Sequence, residues 1–324
     1  MSRQPPALTT TLRGTKLEGA VSKRIKNHHF VPKVLQKRFR TEDNRIWYSE
    51  RGTDGRFSQP ELRNIEKTFR IRNYYTVLEN GQPSDAIERL FYGEIDNFLG
   101  DFIPEVLGTF DADKVPRLSE ASLESARTVA MEMAKRTPEF VKQYESDQEI
   151  GQSLVESVLA GLEDETDFEK RSHYLEILND PALLRQYGRD VRVRATVKRS
   201  EKTAEALKDF KVRWAVSETH HSFILSSMMA YRIGNGGPNG LINPNMEIWL
   251  PISPKISMVL TRDKANRIPD RVVEAPSHIR EVNEYAARNS SQIASHSKRL
   301  IESLTGKKAK LKLAYQPEHK LSRI

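Results

Sequence analysis

The sequence predicts an α+β fold in which strands from the two ends of the chain form a mixed sheet and a helical middle packs on one side. Two observations predict it. Short aromatic and β-branched runs before residue 80 give way to a helical period over residues 84–210, and short apolar runs return after Phe210. No internal repeat divides the 324 residues, so residues 25–305 read as one α+β domain, flanked by a basic leader (1–24) and a basic tail (306–324).

The leader is rich in Pro, Thr, Gly and Arg and predicts an unstructured segment. Packed structure begins near Pro32, where Val34, Leu35 and Phe39 fit one face of a short helix. Arg45–Ser49 reads as a strand closed by a turn at Gly52–Gly55, and Tyr74–Leu78 as a second strand closed at Asn80-Gly81. Asp85 followed by Glu88 is a capping-box-like start for a helix carrying Ile87, Phe91, Ile95, Phe98, Phe102 and Val106 on one face. Ser122–Lys135 forms the next helix, which Pro138 kinks or ends. Helical patterns continue over 140–162, 168–178 and 181–207. Strands are expected at Trp214–Val216, Phe223–Leu225, Glu247–Leu250 and Ile256–Leu260, and a closing helix over 277–297.

Composition restricts the function. Without cysteine there is no disulfide, thiolate metal site or cysteine nucleophile, and a reducing cytoplasm is the default. No apolar run approaches the ~20 residues that span a bilayer. The net charge of +8 is uneven: residues 1–51 hold twelve Lys/Arg against four Asp/Glu, residues 298–324 eight against two, and the middle is acidic. Basic ends can neutralise phosphates, which makes nucleic acid a candidate partner; solvated tails are the plainer alternative.

The densest chemistry lies in Asn27-His28-His29-Phe30-Val31-Pro32, beside Lys37 and Arg38. Imidazole titrates near neutrality and is the commonest metal ligand, so His28 and His29 are candidates for catalysis or ligation, with Lys37 and Arg38 for binding an anion. In a strand the two rings would face opposite ways, whereas in a loop they could converge. The plainer alternative is that both fasten this segment to the core. A second pair, His220-His221, follows Glu218; with a carboxylate from Glu88, Glu94 or Asp96 the pairs could complete the site of a divalent metal, although no helical ligand spacing organises them. The glycine-rich loop at 234–240 lacks the Lys-Ser/Thr of a P-loop, and no Gly-x-Ser-x-Gly elbow surrounds Ser222, Ser226 or Ser227. Trp47, Tyr48, Tyr74 and Tyr75 could stack on bases or fill the core.

Six segments in order carry a family resemblance: Asn27–Pro32 with Leu35 and Phe39; Asn73–Val77; Ile87-Glu88 with Glu94; Arg136-Thr137-Pro138; Phe223–Ser226; and Leu250–Pro254. Together with Val282-Asn283 they resemble domain-of-unknown-function family 4238, a mostly prokaryotic group, over about residues 27–300. The resemblance implies a shared fold, since no activity is attached to the family. This chain has Ser227 where the family usually carries Asp; if that carboxylate matters, Glu218 is one substitute.

These readings lead to a protein that binds or acts on nucleic acid, as a metal-assisted phosphodiester hydrolase of a defence or mobile-element system. His28, His29 and Arg136 would be catalytic, Lys37, Arg38 and Ser226 would bind substrate, and His28, His29 and Glu88 would hold the metal. Arg136, at a helix break, offers a bidentate fork to a phosphate or a structural ion pair to Glu88 or Glu94. The alternative is a non-catalytic interaction protein in which the histidines and Arg136 form a structural polar network.

Overall fold

A computed structural model describes residues 24–79, 81–162, 167–233, 240–263 and 266–306. The leader, the tail beyond Gly306 and most of the glycine-rich loop lie outside the described residues.

The N-terminal part contains β1 (Asn27–His29), α1 (Lys33–Gln36), β2 (Arg45–Glu50), β3 (Glu61–Asn64), β4 (Arg70–Arg72), β5 (Val77–Glu79) and β6 (Gln82–Ser84). A π-helical turn at Ile87–Tyr92 runs into α2 (Gly93–Asp111), in place of the capped start expected at Asp85. The Asp85 carboxylate instead accepts the Ile25 N–H at 2.7 Å and pairs with Arg89, so it ties down the N-terminal segment.

The middle is helical: α3 (Glu120–Lys135), α4 (Pro138–Val141), α5 (Asp147–Ala160), α6 (Phe168–Leu178), α7 (Pro181–Val197) and α8 (Glu201–Lys208). Five of these six helices start at a side-chain cap. Ser119, Thr137, Ser146, Asp180 and Ser200 cap α3, α4, α5, α7 and α8 with their side-chain oxygens. The caps at Ser146 and Ser200 break the two long helices expected over 140–162 and 181–207. Helices α5 and α7 cross at Gly151 and Gly188, where a Cβ on either would collide with the carbonyl of Leu184 or Asp147.

The last third contains β7 (Lys211–Val216), β8 (Leu225–Ser226), β9 (Tyr231–Ile233), β10 (Glu247–Pro251), β11 (Ile256–Thr261), β12 (Arg271–Val273), α9 (Pro276–Arg288), β13 (Gln292–Ser295) and α10 (Lys298–Thr305). The α+β class holds, but with two principal sheets. One has the order β12-β7-β11-β10-β9, with β12 parallel to β7; the other, β3-β2-β13-β8, joins strands from both ends of the chain. The expected closing helix stops at Arg288, and residues 292–295 form a strand inserted between β2 and β8. Tyr74 and Tyr75 lie in a turn before β5.

Alternation along the larger sheet shows where the core sits. Trp214, Ile248, Leu250, Met258 and Leu260 face a cluster built with Phe98 and Phe102 of α2 and Met133 of α3. Ala215, Trp249 and Val259 face the opposite way, onto Ile279, Val282 and Ala286 of α9 and Ile301 of α10. All six residues of β11 are buried, which explains its unbroken apolar run. Phe30, Leu35 and Phe39 belong to the same cluster as Leu225, Leu250 and Ile252, so the histidine-bearing segment packs into a core shared with the late strands.

Candidate functional site

Antiparallel pairing of β1 with β4 puts His28 opposite Ile71 and turns the two imidazoles to opposite faces. His28 is fully buried. Its Nδ1 accepts the Tyr75 N–H at 2.8 Å and its Nε2 donates to the Ile25 carbonyl at 3.0 Å, so both ring nitrogens of the neutral ring are satisfied by backbone. Burial holds its pKa below the ordinary value, with Asp85 and the bond to Ile25 opposing, and Tyr75 stacks on it with centroids 5.6 Å apart. His29 is partly buried and its Nε2 has no partner. Desolvation and the nearby Lys33 ammonium bring its pKa to about 4.

Arg136 ends α3 and is completely buried. Its Nη1 donates to Asp96 Oδ1 at 2.5 Å and its Nη2 to the His29 carbonyl at 2.7 Å, while its plane lies 4.5 Å from the Tyr92 ring centroid. The Arg136 carbonyl accepts the Tyr75 hydroxyl at 2.7 Å, which closes the loop back to His28. Glu88, on the π-helical turn, stands 4.0 Å from Arg136 Nη2, and its buried Oε2 accepts no hydrogen bond. Burial pushes its carboxyl up to about 7, against the pull of Arg136 and with Asp96 and Asp85 adding to the rise. A π-helical turn is a frequent feature of functional sites, and this one places a near-neutral carboxyl beside a guanidinium.

Three residues beyond Arg136 the chain makes a second buried connection. Thr137 caps α4 and Pro138 starts it, which turns the Glu139 side chain toward β8 and β13. Glu139 Oε1 accepts the Ser227 hydroxyl at 2.5 Å, the Ser291 N–H at 2.8 Å and the Ser291 hydroxyl at 2.6 Å. The carboxylate beside Ser227 therefore comes from Glu139. Glu218, the substitute considered above, pairs with Arg271 at the surface.

His28, the His29 backbone, Glu88 and Arg136 thus converge, as the sequence suggested, but His28, His29 and Glu88 do not form a ligand set. One imidazole has no free electron pair and the other faces away. Among the described residues no group of three His, Asp or Glu side chains is placed to hold a metal ion. The substrate-binding candidates lie apart from this cluster: Lys37 is exposed, Arg38 lines a shallow cleft with Pro104, Asp111 and Lys255, and Ser226 is buried in β8. His220 and His221 lie against each other near the surface, with centroids 4.2 Å apart. Tyr48, Tyr74 and Tyr75 are core residues, and Trp47 packs partly buried beneath Lys298. Sequence reasoning missed Glu139 and Ser291; an acid in the first turn of a Pro-initiated helix looks like any exposed capping acid.

The profile of the family described as "Protein of unknown function (DUF4238)" matches residues 27–299. The chain belongs to this family. The DUF4238 match begins at β1 and ends within α10, so it includes both partners of the Arg136–Glu139 connection. No curated protein and no solved structure matches the chain.

Proposed function

We propose that this DUF4238 protein is a cytoplasmic interaction protein that binds nucleic acid, and that its histidine pair and Arg136 form a structural polar network. The observation that carries the structural half is at His28, whose two ring nitrogens are both bonded to backbone groups, leaving none for a metal or a proton in transit. The nucleic-acid half rests on the basic ends, where Lys and Arg outnumber Asp and Glu by twelve to four and by eight to two. Fluorescence anisotropy with labelled single- and double-stranded oligonucleotides tests it. Binding at low salt should weaken steeply toward moderate salt, because each neutralised phosphate releases counterions. Deletion of residues 1–24 and 306–324 should remove most of it, and no binding at low salt refutes it.

One observation favours a second reading, a phosphodiester hydrolase of a defence or mobile-element system. Glu88 has a carboxyl near 7 with an unpartnered oxygen beside Arg136, a combination suited to proton transfer next to an anion. Oligonucleotide cleavage in magnesium or manganese buffer that disappears in Glu88→Gln, while binding persists, would replace the first reading with this one.

A further inference from the structure

A cavity of about 680 Å³ lies away from the histidine cluster, between α3, α4, α7 and α8. That volume suits a single small ligand. Its floor is apolar, with Met131, Phe140, Val141, Leu207 and Leu241, and Tyr144 stands half exposed at the edge. Its lining is also cationic. Lys198, Arg199, Lys202 and Arg232 line it; Arg199 lies over the Phe91 ring and within electrostatic reach of Glu132, and the other three have no carboxylate partner among the described residues.

The other charges in the cavity are internally compensated. Arg192 donates to Asp147 at 2.6 Å. Lys135 sits 3.0 Å from Glu132, a buried carboxyl that desolvation raises and that Lys135 and, less strongly, Arg199 lower. The uncompensated charge is therefore positive and comes from the segment that joins α7 to α8, together with Arg232 of β9. In that segment Lys198 ends α7, Arg199 precedes the Ser200 cap, and Lys202 lies in the first turn of α8. Cations of this kind ordinarily pair with nearby Asp or Glu on a protein surface; unpaired cations around an apolar floor are complementary to a ligand with an anionic end and an apolar body.

We propose that this cavity is a binding site for a free nucleotide. Its phosphate would lie against Lys198, Arg199, Lys202 and Arg232, where guanidinium and ammonium donors form charge-assisted hydrogen bonds. The planar base would lie over the apolar floor beside Phe140 and Tyr144, whose rings accept any base face. Both halves contribute, so neither a phosphate nor a nucleoside alone fills the site. The proposal is independent of nucleic-acid binding through the basic ends and of any chemistry at Glu88.

The test is calorimetric titration of the full chain with AMP, GMP, CMP and UMP, with adenosine and inorganic pyrophosphate as half-ligands, supported by the rise of melting temperature that a ligand selective for the folded state produces. At least one mononucleotide should bind about tenfold or more tighter than adenosine and pyrophosphate, and its affinity should fall with salt. Lys198→Ala/Lys202→Ala should weaken that nucleotide about tenfold without changing the melting temperature of the unliganded protein, since both side chains are exposed. Tyr144→Ala should weaken the nucleotide while leaving pyrophosphate unaffected. The proposal is overturned if no mononucleotide binds, if pyrophosphate binds as tightly as the best nucleotide, or if the double variant binds normally. A short oligothymidylate that binds no tighter than thymidine monophosphate supports a free nucleotide; a strand more than tenfold tighter overturns that assignment.

Discussion

Replacing His28 by Ala is the sharpest test of the structural reading, because its neighbour His29 provides the control. The substitution orphans the Tyr75 N–H and the Ile25 carbonyl, both partners of the ring at 2.8 and 3.0 Å, and removes the face on which Tyr75 stacks. The buried Tyr75 N–H costs roughly 1–3 kcal/mol when orphaned, while the part-buried Ile25 carbonyl can turn to water, so the loss is about 1–3 kcal/mol before any cavity term. At about 2 °C per kcal/mol, the lower end for a domain of this size, the melting temperature falls by about 2–6 °C. His29→Ala removes a ring whose Nε2 makes no hydrogen bond and should cost less than about 1 kcal/mol. His28→Asn separates the two bonds, since its amide oxygen can still accept from Tyr75, and should recover part of the loss. Thermal denaturation followed by circular dichroism reads all three. Equal losses at His28 and His29, or no loss at His28, would refute the argument.

Two further outcomes follow from the same geometry. The Glu88 carboxyl is raised from 4.5 to about 7 in the fold, so its contribution is fully present below pH 4.5 and is lost as pH rises through 7. Glu88→Gln should therefore match the parent near pH 4 and exceed it near pH 8 by on the order of 3 kcal/mol, read from melting temperatures at the two values; a less stable variant at pH 8 would mean that the ionised form is the one Arg136 holds. Ser227→Asp would set a second carboxylate against Glu139, and the repulsion should destabilise the variant while both are ionised and less so in acid. Adding Glu139→Gln should relieve it, and a destabilisation that ignores both pH and Glu139 would show that size, and not charge, is the constraint.

Much of the fold was legible where local pattern and tertiary environment agree. The helical faces of α2 and α3 and the apolar runs of β10 and β11 are strong periodic signals, and each appears where it was expected. Where the two disagree the reading failed. Gln292-Ile293-Ala294-Ser295 holds residues compatible with a helix, and it is a strand because β2 and β8 leave a slot between them, a condition set more than two hundred residues away in sequence on one side. Tyr74 and Tyr75 are aromatic because the core around Phe30 and Tyr92 needs rings, not because they lie in a strand. At the site, the histidines, Arg136 and Glu88 could be picked out as a group, yet their roles depend on the β1–β4 register, which fixes the face of each ring. Glu139 was not visible at all, because its burial is made tolerable only by donors at Ser227 and Ser291.

The turn from Arg136 to Glu139 explains why motifs at both ends of the chain occur together without requiring a shared reaction centre. Arg136 is completely buried and its charge is balanced by Asp96 and the His29 carbonyl, so the N-terminal strand is a condition for burying it. Glu139 is nearly as buried and relies on donors from β8 and β13, so the C-terminal strands are a condition for burying that. Leaving either charge inside without its partners costs about 3–5 kcal/mol, a large share of the whole stability of a typical domain. The helical middle therefore cannot keep its native turn unless both ends of the chain are docked. That mutual dependence fits a family match that begins at Asn27 and runs into the last helix, α10.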